Sequence, residues 1–123
     1  MTKKSIVFKK SEFDFILDYE RCRTDVSKIS FSLISLSPSS NLKNSKNMEK
    51  FLKSVHRKLR NLDVIGFIEN SKFYILLPAT TFQESRLFIN KLQNMIKEYS
   101  NLIQSQEIYT YPENWPETEK LFK

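Results

Sequence analysis

Apolar side chains recur along this chain with two alternating rhythms, one helical and one of period two. Phe13, Ile16 and Leu17 stand at helical spacing behind Ser11, which is placed to cap a first helix running through Tyr19 to about Asp25. From Ile29 to Leu36 the pattern becomes largely alternating and rich in β-formers, and Ser37-Pro38-Ser39-Ser40 is expected to end that strand in a loop. Beyond the polar stretch Asn41 to Asn47, the residues Met48, Phe51, Leu52, Val55 and Leu59 share one face of a second helix ending near Arg60. Val64 to Ile68 and Phe73 to Leu77 are short apolar runs joined by Glu69-Asn70-Ser71-Lys72, a length and polarity that suit a β-hairpin closed by Pro78. Thr81 and Glu84 form the pattern of a capping box ahead of a third helix whose buried face carries Phe88, Leu92, Met95, Ile96 and Tyr99. Glu107 to Tyr111 reads as a last strand, and Pro116 is placed to open a short terminal helix.

The order helix, strand, helix, hairpin, helix, strand predicts an α/β fold of the α+β kind. Its economical form is a mostly antiparallel sheet of about four strands with packed helices, which ferredoxin-like and nucleotide-cyclase palm folds both satisfy. Residues 1–123 are expected to form a single domain, too short for two independent cores. Ile34, Leu36, Leu52, Val55, Leu59, Ile65, Ile75, Leu77, Leu92 and Ile96 are expected to share that core.

Composition narrows the chemistry. No run approaches the roughly 18 to 20 apolar residues of a membrane-spanning helix, and Met1 to Lys10 has no signal-peptide core, so a cytoplasmic protein without a transmembrane segment is expected. The single cysteine and single histidine are too few for a zinc site; Cys22 is expected as a buried thiol and His56 as a surface or edge residue. Gly66 is the only glycine, which excludes phosphate-cradling loops of the P-loop and Rossmann kinds. The net charge of +6 suits an anionic partner or mere solubility.

The stretch from Arg60-Asn61-Leu62-Asp63 to Phe73 and Leu76-Leu77-Pro78 resembles the core of GGDEF nucleotide-cyclase domains. There an Arg-x-x-Asp precedes a strand, the Gly-Gly-Asp-Glu-Phe turn and a second strand ending in Leu-Pro, and the spacing agrees without gaps. On that alignment the signature becomes Glu69-Asn70-Ser71-Lys72-Phe73, and the family's metal-binding Asp-x-Asp falls on Ser35 and Ser37. The resemblance therefore implies a degenerate copy that is not an enzyme, holds no metal or other cofactor, and serves in regulation or as a scaffold. With Tyr109-Thr110-Tyr111-Pro112 added, the chain looks most like the copies attached to bacterial exopolysaccharide sugar transferases, which implies a protein partner of that kind.

Arg60 and Asp63 match the site at which some GGDEF proteins bind cyclic di-GMP, and a guanidinium can grip phosphate or guanine bidentately while a carboxylate accepts from guanine N–H groups. The plainer reading is that Arg60 closes a helix and pairs with Asp63. Phe67, where the family often has a further arginine, weakens the ligand reading. Lys46, Lys50, Lys53 and Arg57 make a basic stripe on the second helix; with no aromatic residues interleaved for base stacking, it is expected to be a solvated face and not a nucleic-acid site. Trp115, Tyr109 and Tyr111 are expected to pack against the sheet edge.

Overall fold

Why β4 and β2 bury residues of both parities is answered by the layers around them: helices cover both faces of the sheet. The computed structural model describes residues 7–39, 45–67, 72–98 and 103–116. Its elements are β1 (Val7–Phe8), α1 (Lys10–Ser27), β2 (Phe31–Pro38), α2 (Ser45–Lys58), β3 (Val64–Phe67), β4 (Phe73–Leu77), α3 (Phe82–Glu98) and β5 (Ile103–Tyr111). The strands lie in the order β1-β3-β4-β2-β5, with β1 parallel to β3 and the other neighbours antiparallel. Four strands give the ferredoxin-like order, and β1 adds a fifth at the edge that the sequence pattern did not reveal.

Alternation along the strands sorts two cores. On one face Ile34, Leu36, Ile65, Phe73, Ile75 and Leu77 meet Phe51, Val55 and Leu59 from the α2 region and Ile89 and Leu92 of α3. On the other, Phe31, Leu33, Tyr74 and Leu76 meet Phe13 and Leu17 of α1. The expected core is the first of these: eight of its members are buried and Leu52 packs against it half-buried, while the Ile96 side chain lies outside the described residues. Trp115 packs as expected, its ring 5.1 Å from Phe31 and 5.5 Å from Tyr111, so the aromatic cluster closes the α1 side of the sheet beside β5.

Several boundaries differ from expectation, each for a local reason. Helix α1 starts before Ser11: Lys9 occupies the cap position, and its N–H donates to Glu12 Oε1 at 3.1 Å, an acid in the first turn that also suits the helix dipole. Strand β2 continues through Pro38, which sits where the register with β5 shifts and past the last pair with β4, so its missing N–H breaks no regular ladder. Helix α2 begins within the polar stretch and β5 begins at Ile103, earlier than expected. Cys22 is exposed, not buried, because α1 turns Phe13, Leu17, Glu20 and Thr24 inward and position 22 falls on the opposite side. His56 is half-buried, and both ring nitrogens are covered without a hydrogen-bond partner among the described residues. The expected terminal helix, Ile68 and Tyr99 lie outside those residues, as do the Met48 and Met95 side chains.

Gly66 has a packing role. It is buried in β3, and a Cβ built there would lie 2.9 Å from Cε1 of Phe13 and closer still to Cδ1 and Cγ of the same ring. The glycine lets α1 press its first large side chain onto the sheet.

The candidate site around Arg60

After α2 ends, the chain turns at once into β3, and Asp63 shapes that turn. The Asp63 N–H donates to the Arg60 carbonyl at 3.1 Å, and the Arg60 N–H donates back to Asp63 Oδ2 at 2.7 Å. The same carboxylate accepts from the guanidinium, at 3.1 Å from Nε and 2.9 Å from Nη2. Its side chain is 1% exposed against 54% for Arg60, so the pair joins a sheltered anion to a half-wet cation.

The guanidinium reaches further. Nη2 also lies 2.9 Å from the Pro78 carbonyl and 2.9 Å from Thr80 Oγ1, and that hydroxyl donates to the Pro78 carbonyl at 2.8 Å. Arg60 thereby ties the turn before β3 to the connection between β4 and α3. Thr80 is anchored in turn, its N–H on the Ser30 carbonyl at 2.9 Å and its carbonyl on the Ser32 hydroxyl at 3.0 Å. Sequence reasoning named Arg60 and Asp63 and missed Pro78 and Thr80, because nothing in a one-dimensional spacing of 18 or 20 positions announces that contact.

Beside this clamp lies a cleft of about 260 Å³ lined by Lys58, Arg60, Asp63, Thr80, Glu84 and Lys91 together with Leu77, Leu87 and Phe88. Three cations face two carboxylates there. The Glu84 carboxyl is held below its ordinary range by hydrogen bonds from the Thr81 backbone and hydroxyl and by the Arg60 charge, so an acid stays ionised at the rim. Asp63 already accepts from its own chain, whereas Arg60 Nη1 makes no hydrogen bond among the described residues. The cleft can thus offer a cationic edge to an anion, and its volume falls below the ~300–1,000 Å³ of pockets that enclose a drug-sized ligand. A larger hollow of about 460 Å³ lies between α3 and β5, lined by Phe82, Arg86, Asn90, Gln106 and Glu107 among others.

Of the positions aligned with the cyclase signature, only Lys72 and Phe73 fall among the described residues. Glu69, Asn70 and Ser71 lie outside the described residues, Lys72 is half-buried, and Phe73 is a core residue whose ring lies 5.7 Å from Phe51. Ser35 is 2% exposed in the middle of β2, paired with Tyr74 of β4 and hydrogen-bonded to its hydroxyl. Ser37 is half-buried near the end of the strand. Among the described residues no group of three or more His, Cys, Asp or Glu could hold a metal ion, and no helix is long and apolar enough to cross a membrane. The basic stripe of Lys46, Lys50, Lys53 and Arg57 is exposed along α2.

No protein-family model matches the sequence, and no curated protein matches it either. Among solved structures, a DGC protein from Thermotoga maritima is similar at 20% identity with a TM-score of 0.80, over 94% of this chain and 90% of that one. The FimX GGDEF domain from Pseudomonas aeruginosa is similar at 11% identity with a TM-score of 0.72, over 92% and 80%. The diguanylate cyclase SiaD from the same species, solved in complex with its activator SiaC, is similar at 15% identity with a TM-score of 0.61, over 83% of this chain and 44% of that one. The fold is that of GGDEF domains.

Proposed function

We propose that this chain is a non-catalytic GGDEF-like module of bacterial signalling, acting in regulation or as a scaffold through a protein partner. The observation that carries this reading is Ser35, which stands where the resemblance places a metal-binding aspartate and spends its hydroxyl on Tyr74 inside the sheet. Joining two GTP molecules needs divalent metal held by carboxylates, and a serine hydroxyl is a weak substitute. Ser37 and Ser71 likewise stand for acids, and Lys72 offers a cation in place of one. Incubation of the purified chain with GTP and magnesium or manganese is expected to yield no cyclic dinucleotide; clear turnover would overturn the reading.

The partner we propose is a sugar transferase or another membrane-associated enzyme of polysaccharide export, met in the cytoplasm. The complex of SiaD with a protein activator supports the general idea that such modules are addressed by proteins. Transferase or export genes beside this one are the expected neighbourhood, and neighbours unrelated to surface polysaccharide count against it.

A second reading, a cyclic di-GMP receptor, is favoured by the cationic edge at Arg60, Lys58 and Lys91. The small cleft would enclose only part of such a ligand, leaving the rest to a second molecule or domain. Calorimetry with cyclic di-GMP separates the two. Binding that Arg60→Ala weakens by ~1.5–3 kcal/mol, roughly ten- to hundredfold, supports the receptor. Silence at millimolar ligand leaves Arg60 and Asp63 as the structural clamp described above.

A further inference from the structure

Helix α1 carries two stripes, one buried against the sheet and one apolar and exposed. Phe13, Leu17, Glu20 and Thr24 face the sheet, at intervals of four, three and four. Phe15, Tyr19, Cys22 and Val26 repeat those intervals, and Phe15, Tyr19 and Val26 are 73%, 61% and 86% exposed while Cys22 is exposed as well. At 100° per residue the second stripe lies about 160° from the first, on the side of the helix facing away from the domain. In heptad terms Tyr19 and Val26 take a positions, Phe15 and Cys22 take d positions, and the inward stripe occupies b and f. Isolated exposed hydrophobes are ordinary, but a heptad seam of them on a helix already anchored by its other face is not.

We infer that this stripe is the seam of a parallel two-helix coiled coil formed with a second copy of this chain. The flanking charges select both the partner and its direction. Asp18 and Asp25 fall at g positions and Arg23 at an e position. In a parallel pair each g residue meets the e residue five positions on, so Asp18 of one copy meets Arg23 of the other, twice by symmetry. An antiparallel pair would set Asp18 against Asp25 at both ends. Within its own helix Asp18 is bonded to Arg21 and Arg23 to Glu20, yet their side chains remain 62% and 61% exposed and within reach of a neighbour. Three turns of seam, ~17 Å long, fall short of the ~800 Å² per partner typical of stable interfaces, so the dimer is weak and concentration-dependent. This inference is independent of whether the chain is catalytic.

Because the chain has one cysteine, a disulfide reports the register directly. Parallel pairing stacks the two copies of Cys22 in one d layer, whereas antiparallel pairing sets Cys22 beside Tyr19. Sedimentation of the full chain at high micromolar concentration is expected to show a monomer–dimer equilibrium, and mild oxidation to trap a Cys22-linked dimer. Asp18→Arg and Arg23→Asp should each weaken the dimer several-fold, the two together should restore it, and Tyr19→Glu should abolish it. All four residues of these tests are exposed or half-exposed, so the thermal unfolding of the monomer serves as the control for folding. A monomer at every concentration overturns the proposal, as does a disulfide yield unchanged by Tyr19→Glu, or a dimer that Cys22 cannot link.

Discussion

The ring of Phe13 fills the space in which a side chain at position 66 would have to sit. Phe13 is fully buried between α1 and the sheet and has nowhere to retreat. Gly66→Ala is therefore expected to destabilise the fold by ~1–3 kcal/mol through overpacking, measurable by urea unfolding. Pairing it with Phe13→Leu should give less than the sum of the two costs, with a coupling of ~0.5–3 kcal/mol. Strict additivity would show that the two positions do not compete for the same volume.

At the start of α3, the Thr81 N–H donates to Glu84 Oε1 at 2.9 Å and the Glu84 N–H donates to Thr81 Oγ1 at 3.2 Å. Thr81→Ala is expected to cost ~0.5–2 kcal/mol, the usual worth of such a cap. The acid half carries a pH signature. Because Glu84 has its folded pKa below the ordinary 4.5, the unfolded chain takes up the proton first. Its contribution is whole above that value and is lost as pH falls through the folded pKa. Glu84→Gln should flatten that part of the acid-stability profile, and an unchanged profile would remove the cap from the explanation.

Three tyrosines give the opposite signature at high pH. Burial raises Tyr74 and Tyr109, with the Glu107 carboxylate adding to both, and the hydrogen bond from the Tyr111 hydroxyl to Asp25 Oδ1 at 2.7 Å is the main cause for Tyr111. Each folded pKa lies above the ordinary 10.0, so these groups stabilise the fold fully below that value and lose their contribution as pH rises through the folded pKa. The tyrosinate absorbance of these three is expected to rise late and together with the loss of secondary structure. Asp25→Asn should bring one step to lower pH; if it leaves the titration untouched, the Tyr111 hydrogen bond does not form in solution.

The α2/α3 side of the molecule was legible because α2 and α3 are long and amphipathic and the Thr81–Glu84 box opens α3, while β4 runs from Phe73 to Leu77 as its continuous apolar run predicts. On the α1 side the helix itself was legible, but a second, apolar stripe on it means that a one-dimensional pattern cannot say which stripe meets the sheet. Cys22 was expected inside because it is a lone thiol with no disulfide or zinc partner, and only the phase of the folded helix places it outside. Two residues, Val7 and Phe8, are too few to show any period, so β1 went unseen. At the candidate site, Arg60 and Asp63 were readable from a three-residue spacing that a turn turns into a contact. Their tie to Pro78 and Thr80 depends on tertiary closure and leaves no local trace.

Ser32 and Thr110 share a hydrogen bond of 3.0 Å although 78 positions separate them, and the strand that carries Ser32 is flanked on that side only by β5. During synthesis from the N-terminus, β2 leaves the ribosome long before the strand that completes it. Phe31 and Leu33 of that strand wait with one edge unpaired until β5 has emerged. Non-local pairing of this kind slows closure and lengthens the interval in which a sticky edge is open to other chains. The nascent domain is thus open to aggregation along β2 until β5 has emerged, and holding β2 during that interval is the service a chaperone would provide.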